Sequence, residues 1–116
     1  MEWYKNLYLG EKAAQKHFKL LRKINKRRLT NAYVVTLPSN SDNVLDIYSY
    51  NELLQRHYDS SRIFIVGLAY GKEEAMELTK DIIFDVYSKS GTVKVSEYIM
   101  GNFRDIDLKK GEVFRP

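Results

Sequence analysis

The sequence predicts a single compact α+β domain, in which helices pack on a small mixed sheet of three strands. The chain has 116 residues, which suits one domain with a core of its own. Runs of β-branched and aromatic residues alternate with helical patterns in the order α-β-β-α-β-α. The predicted strand of residues 62–69 contains an unbroken apolar run, residues 63–69, which is typical of a central strand buried on both faces.

The first predicted helix runs from Glu11 to about Arg28 and is strongly basic on one side. Residues 1–9, which are rich in aromatics, are expected to dock on the body ahead of it. The expected apolar face of the helix comprises Ala14, Phe18, Leu20, Leu21, Ile24 and Arg28. Lysines recur on another face at steps of four, three, four and three: Lys12, Lys16, Lys19, Lys23 and Lys26.

Two strands and a short helix are predicted next. The strands cover residues 32–37 and 44–48, and the turn formers between them favour an antiparallel hairpin. The sequence Ser49-Tyr50-Asn51-Glu52 matches a capping box, so a helix is expected from Tyr50 to about Tyr58.

The third strand, residues 62–69, is followed by the longest predicted helix, which runs to about Ser88. Its expected core stripe is Ala75, Leu78, Ile82 and Val86, helped by Met76, Ile83 and Tyr87. Gly91 suits the position just past its C-terminus. Residues 93–100 are predicted as a short final helix or a strand–helix corner. The domain is expected to span residues 1–100, with 101–116 an extended or disordered tail.

Charge and composition narrow the classes of function. Residues 10–29 carry a net charge of +7 and the remainder −3, so a mildly acidic body bears one basic segment. The chain has no Cys, which excludes disulfides and thiolate chemistry. It has no apolar run of the ~20 residues that span a bilayer. A soluble cytoplasmic protein of bacterial type, with no membrane insertion, is expected.

Four segments carry a resemblance: LYLGEKAAQK, VVTLPSNSDNVLDIYS, IFIVGLAYGKEEAMELTKDII and VKVSEYI. They resemble a small family of uncharacterised proteins from clostridial gut bacteria, over about residues 4–100. The resemblance implies a stand-alone cytoplasmic protein and no known activity.

The turn after the third strand, with Gly67 and Gly71, matches neither of two phosphate-binding motifs. The spacing of its glycines and the Glu after Lys72 depart from a P-loop, and there is no G-x-G-x-x-G. Carboxylates in the first helical turn would occupy the place of a phosphate. We therefore expect a structural turn that binds no phosphate.

Catalytic, cofactor and metal sites have little support in the sequence. His57 lies near Glu52 and Asp59 but has no nucleophile beside it, so a surface histidine is the simpler interpretation. Asp42 and Asp46 lack the further oxygen ligands of a calcium loop. No catalytic residue, cofactor or metal is predicted, and enzymatic activity is left open with a preference against it.

The lysine stripe, Lys12, Lys16, Lys19, Lys23 and Lys26, is the candidate partner-binding site. It is either a solvated helix face or a surface for an anionic partner. An acidic face on the long helix, formed by Glu74, Glu77, Asp81 and Asp85, could pair with it within one subunit or across a homodimer. The sequence favours a small binding or regulatory module for a protein partner. The alternative is a nucleic-acid-binding accessory protein that uses helix 11–28.

Overall fold

A computed structural model describes residues 2–26, 30–38, 43–55 and 63–101 of the chain. The described residues form four strands and five helices. The strands are β1 (Glu2–Leu9), β2 (Ala32–Thr36), β3 (Asp46–Ser49) and β4 (Phe64–Tyr70). The helices are α1 (Glu11–Gln15), α2 (His17–Asn25), α3 (Tyr50–Gln55), α4 (Lys72–Ser90) and α5 (95–101).

The sheet is mixed, and its strand order is β1-β4-β2-β3. Strand β1 pairs parallel to β4, while β2 is antiparallel to both β4 and β3. The predicted hairpin of β2 and β3 and the mixed α+β class are confirmed. The predicted number of three strands is wrong, because the aromatic segment that was expected only to dock is itself the edge strand β1.

Helices cover both faces of the sheet and enclose two hydrophobic clusters. On one face α4 and α5 bury Ile82, Val95 and Ile99 against strand residues such as Val35 and Val66. The other face carries α1, α2 and α3, with Ala13, Leu20, Ile24 and Leu53 packed on the sheet. Helices α2 and α4 therefore lie on opposite sides of the sheet.

Strand β4 has the predicted central position. Its residues 65–69 are buried, and the pairing register shifts between Val35 and Thr36 of β2, so that β4 carries a bulge. The bulge places Gly67 against α4, where a Cβ would lie 3.0 Å from Leu78 Cδ2 and 3.2 Å from Ile82 Cδ1. The strand and the long helix can approach this closely because position 67 has no side chain.

Helix α4 follows the predicted pattern along its buried stripe. Ala75, Leu78, Ile82 and Val86 are all buried. Gly91 ends the helix in the left-handed conformation, with φ at 72°, and its N–H donates to the Tyr87 carbonyl. The expectation that Met76 and Tyr87 support the core is wrong, since they are 50% and 54% exposed. They lie on the flank of α4 that faces away from the sheet.

The single helix predicted over residues 11–28 is instead two helices, with a break at Lys16. Lys16 has φ −107° and ψ 19°, outside the helical region. The two segments are anchored separately: the Glu74 carboxylate binds the amides of α1, whereas Leu20 and Ile24 of α2 pack in the core. The described part of α2 ends at Asn25, followed by Lys26 as its C-cap.

The predicted apolar face of this region is confirmed at Leu20 and Ile24 and is wrong at Ala14 and Phe18. Ala14 is exposed and Phe18 is 83% exposed, while Ala13, Leu20 and Ile24 are buried. Leu20 and Ile24, four residues apart, define the buried side of α2, and Phe18 lies nearly opposite to it at about 100° per residue.

The remaining predictions are partly outside the described residues. Helix α3 begins at Tyr50, directly after Ser49, which ends β3; the capping hydrogen bond stays a prediction. The predicted end of α3 near Tyr58, the position of Arg28 and the tail all lie outside the described residues. The final helix is present at 95–101.

Candidate functional site: a basic surface on α1 and α2

All five lysines of the predicted stripe are exposed. Lys12 lies in α1, Lys16 at the break, Lys19 and Lys23 in α2, and Lys26 just after it. Among the described residues, the salt bridges join other pairs, Lys80 with Glu77 and Lys89 with Asp85. Within that part of the chain the stripe therefore carries positive charge that no acidic side chain neutralises by direct contact.

Arg22 and Phe18 extend this surface on the outer side of α2. Phe18, Arg22 and Lys26 are spaced by four residues, which places them on one helical face. The ring of His17 lies 5.7 Å from that of Phe18. We call the set of Lys12, Lys16, Phe18, Lys19, Arg22, Lys23 and Lys26 the basic surface. The sequence analysis missed Phe18 as a surface residue, although its phase relative to Leu20 and Ile24 was a usable signal.

Three of the lysines converge on a small pocket at the inner edge of the basic surface. Lys16, Lys19 and Lys23 line it together with Leu20, Thr30, Asn31 and Tyr70, and its volume is about 160 Å³. The Lys16 ammonium lies 5.0 Å from the centroid of the Tyr70 ring, within the range of a cation–π contact. We call this the lysine pocket.

Glu74 occupies three backbone amides near the turn at the end of β4. The Glu74 carboxylate accepts hydrogen bonds from the amides of Lys12 (2.6 Å), Ala13 (3.1 Å) and Tyr70 (2.6 Å). It thus joins the first turn of α1 to the end of β4. These backbone donors are the groups that a bound phosphate would otherwise use. Glu74 thus binds amides of α1 and β4, and the expectation that the first turn of α4 binds no phosphate stays a prediction.

The acidic face of α4 is not paired with the lysine stripe in the described structure. Asp85 accepts a 2.6 Å hydrogen bond from the Tyr8 hydroxyl and pairs with Lys89 at 3.1 Å. Glu77 and Asp81 are exposed and line an open cleft of about 340 Å³. Lys12 lines the same cleft, but among the described residues no salt bridge joins it to these acids. Lys19 and Lys23 lie in α2, on the opposite side of the sheet from α4, so they do not pair with it. Pairing across a dimer stays a prediction.

A second cavity lies between β1 and α2. It has a volume of about 330 Å³, and its apolar lining includes Trp3, Leu7, Leu21 and Ile24, with Lys5, His17 and Asn25 also present. Among the described residues, the groups whose pKa values are shifted do not line this cavity. The pKa of Asp85 is lowered, mainly by the hydrogen bond from Tyr8, and the pKa of Tyr8 is raised, mainly by burial. The cavity and the groups Tyr8 and Asp85, whose pKa values are shifted, therefore do not form one acid–base site.

The other candidates for chemistry add little. His57 and Asp42 lie outside the described residues. Asp46 is a residue of β3 and accepts a 2.9 Å hydrogen bond from the Asn43 side chain, which fits its predicted strand role. In the part of the chain that the structure describes, no group of three or more His, Cys, Asp or Glu residues is placed to hold a metal ion.

Comparisons with protein-family models, with curated proteins and with solved structures give no match to this chain. The resemblance to a clostridial family therefore stays a prediction. In the described residues, none of the helices has both the length and the apolar character needed to cross a membrane.

Proposed function

We propose that this protein is a small binding module, which docks an acidic protein partner on its basic surface. The observation that carries the proposal is a row of exposed lysines whose ammonium groups, within the described residues, form no salt bridge. Lys19 and Lys23 lie in α2, on the opposite side of the sheet from α4, whereas Lys12 lines the open cleft that also contains Glu77 and Asp81. The resemblance adds the expectation that the module works in the cytoplasm of a bacterium.

Phe18 supports a partner rather than a merely solvated face. A Phe that is 83% exposed beside Arg22 has no role in the described core. Protein interfaces concentrate binding energy in aromatic and Arg anchors, while surrounding charges mainly steer association. The basic surface offers both: an anchor at Phe18 and Arg22, and the flanking lysines.

A second candidate partner is single-stranded nucleic acid, and Phe18 is the observation that favours it. Proteins that bind single strands combine cationic side chains along the backbone with exposed aromatic rings on which bases stack. Both candidate partners, an acidic protein and single-stranded nucleic acid, would bind the same residues of the basic surface.

The test measures fluorescence anisotropy with two labelled probes, an acidic peptide of alternating Glu and Leu residues and a short poly-dT oligonucleotide. The variant Arg22→Glu/Lys26→Glu reverses two charges of the basic surface. The control Lys80→Glu/Lys94→Glu makes the same change in net charge at exposed positions elsewhere. Circular dichroism checks that both variants remain folded.

We expect the peptide to bind, and the surface variant to weaken binding at least tenfold while the control stays within about twofold, since one decade corresponds to ~1.4 kcal/mol. Binding of the oligonucleotide alone, with affinity falling steeply as salt rises, would replace the first candidate with the second. If neither probe binds, or if both variants lose equal affinity, the proposal is wrong.

A further inference from the structure

We propose that the lysine pocket is a binding site for a phosphate dianion, either inorganic phosphate or the phosphoryl group of a small monoester. This inference goes beyond the docking of a macromolecule, because it assigns a discrete site and a ligand chemistry to one edge of the basic surface. It does not require that the outer face at Phe18 and Arg22 bind any partner.

The charge of the pocket is the first argument. Lys16, Lys19 and Lys23 all line this one cavity, and among the described residues no acidic residue lines it. Lysine is a common ligand of phosphate as a compact point charge with three donors. Like charges held around one cavity repel each other, and a dianion between them relieves that repulsion.

The rigidity of the pocket floor is the second argument. Asn31 is fixed by its carbonyl, which accepts from the Gly71 amide at 2.9 Å. Thr30 is fixed by its amide, which donates to the Asn51 side chain at 2.9 Å. Tyr70 is held in β4 opposite Ala32 of β2. The floor is therefore organised before a ligand arrives, which lowers the entropic cost of binding.

The position of Lys16 gives the third argument. Lys16 lies at the break between α1 and α2, and its ammonium is held 5.0 Å from the Tyr70 ring centroid. This contact directs one of the three cations to the floor of the pocket. Lys19 and Lys23 follow on α2, four residues apart and thus on one face.

The size of the pocket sets the ligand class. Sites for drug-sized ligands have volumes of about 300–1,000 Å³. The lysine pocket, at about 160 Å³, is smaller and holds roughly five waters at liquid density. A phosphate group with a few waters fits this space, whereas a nucleoside would extend outside it. Tyr70 lines the pocket while its amide is already bound to Glu74, so the proposed ligand would be held by the lysines and not by that amide.

The experiment titrates the full chain with three probes: inorganic phosphate, methyl phosphate and dimethyl phosphate. Binding is followed by the NMR shifts of the Thr30 amide and the Asn31 side-chain amide. We expect saturable shifts with inorganic phosphate and methyl phosphate in the millimolar range or tighter. Dimethyl phosphate, a monoanionic diester, is expected to bind at least tenfold more weakly. Equal binding of all three would contradict a site for a dianion.

A matched pair of variants separates the pocket from the surrounding charge. Lys19→Gln/Lys23→Gln removes two pocket cations, and Lys12→Gln/Lys26→Gln removes two exposed lysines that do not line the pocket. The first variant should weaken phosphate binding at least tenfold, and the second no more than about threefold. Equal losses, or no saturable shift in the wild-type protein, would overturn the inference. Phosphate binding without peptide or oligonucleotide binding would contradict only the proposed docking function.

Discussion

The Glu74 side chain fills the space that a Cβ on Gly10 would need. A Cβ built at Gly10 would lie 2.5 Å from Cγ, Cδ and Oε2 of Glu74. Gly10 is the residue between β1 and α1, and its φ of −68° is open to any amino acid. Glycine is therefore required there for space and not for backbone conformation.

Gly10→Ala should lower the free energy of unfolding by about 1–3 kcal/mol, because Glu74 must move away from the three amides that hold it. Urea denaturation measures the change. Gly101→Ala is the control, since a Cβ at that exposed position meets no atom within 4 Å. A loss at position 10 that is no larger than that at position 101 would contradict the steric role.

Glu74→Ala should lower the free energy of unfolding by roughly 2 kcal/mol, because the partly buried amides of Ala13 and Tyr70 lose their acceptor. In Glu74→Ala the clash at Gly10 disappears, so the double variant with Gly10→Ala should lose at least about 0.5 kcal/mol less than the sum of the two single losses. A double-mutant cycle by urea denaturation checks this coupling. Strictly additive losses would show that the two residues act independently.

Tyr8→Phe should lower the free energy of unfolding by about 1 kcal/mol at neutral pH, because the half-buried hydroxyl no longer donates to Asp85. The pKa of Asp85 is lowered in the folded protein, first by this hydrogen bond. The contribution is therefore present above the unfolded pKa, near 4, and is lost as the pH falls through the lower folded pKa.

The difference between wild type and Tyr8→Phe should accordingly shrink between pH 7 and pH 3, as measured by urea denaturation. Tyr87→Phe removes the same oxygen atom at a position that is 54% exposed, and should change stability little at either pH. A difference for Tyr8→Phe that is unchanged at low pH would exclude the charged acceptor as its cause.

Ile82→Ala should lower the free energy of unfolding by about 2–5 kcal/mol, because Ile82 is fully buried between α4 and the sheet. Phe84→Ala, on the same helix but at a site that is 73% exposed, should cost less than about 0.5 kcal/mol. Thermal or urea unfolding of the two variants decides this, and similar losses for both would mean that the core of α4 has been assigned to the wrong face.

Patterns within a short stretch of sequence determined the centre of this fold. The apolar run of β4, the buried stripe from Ala75 to Val86 and the glycine after α4 were all predicted correctly. Each depends on a spacing of two to four residues, which the periodicity of strands and helices makes visible in the sequence. The exposure of the lysines was also visible in the sequence, because charged side chains are rarely buried without a partner.

Tertiary structure alone decided the pairing of β1, the break at Lys16 and the convergence of three lysines with Tyr70 on one pocket. Strand β1 is specified by a partner about 60 positions away, and the bonds from Glu74 to Lys12 and Ala13 span 62 and 61 positions. Periodicity shows which side of an element is apolar. It does not show which distant element covers that side or which carboxylate occupies a set of free amides, because those choices depend on how the whole chain packs.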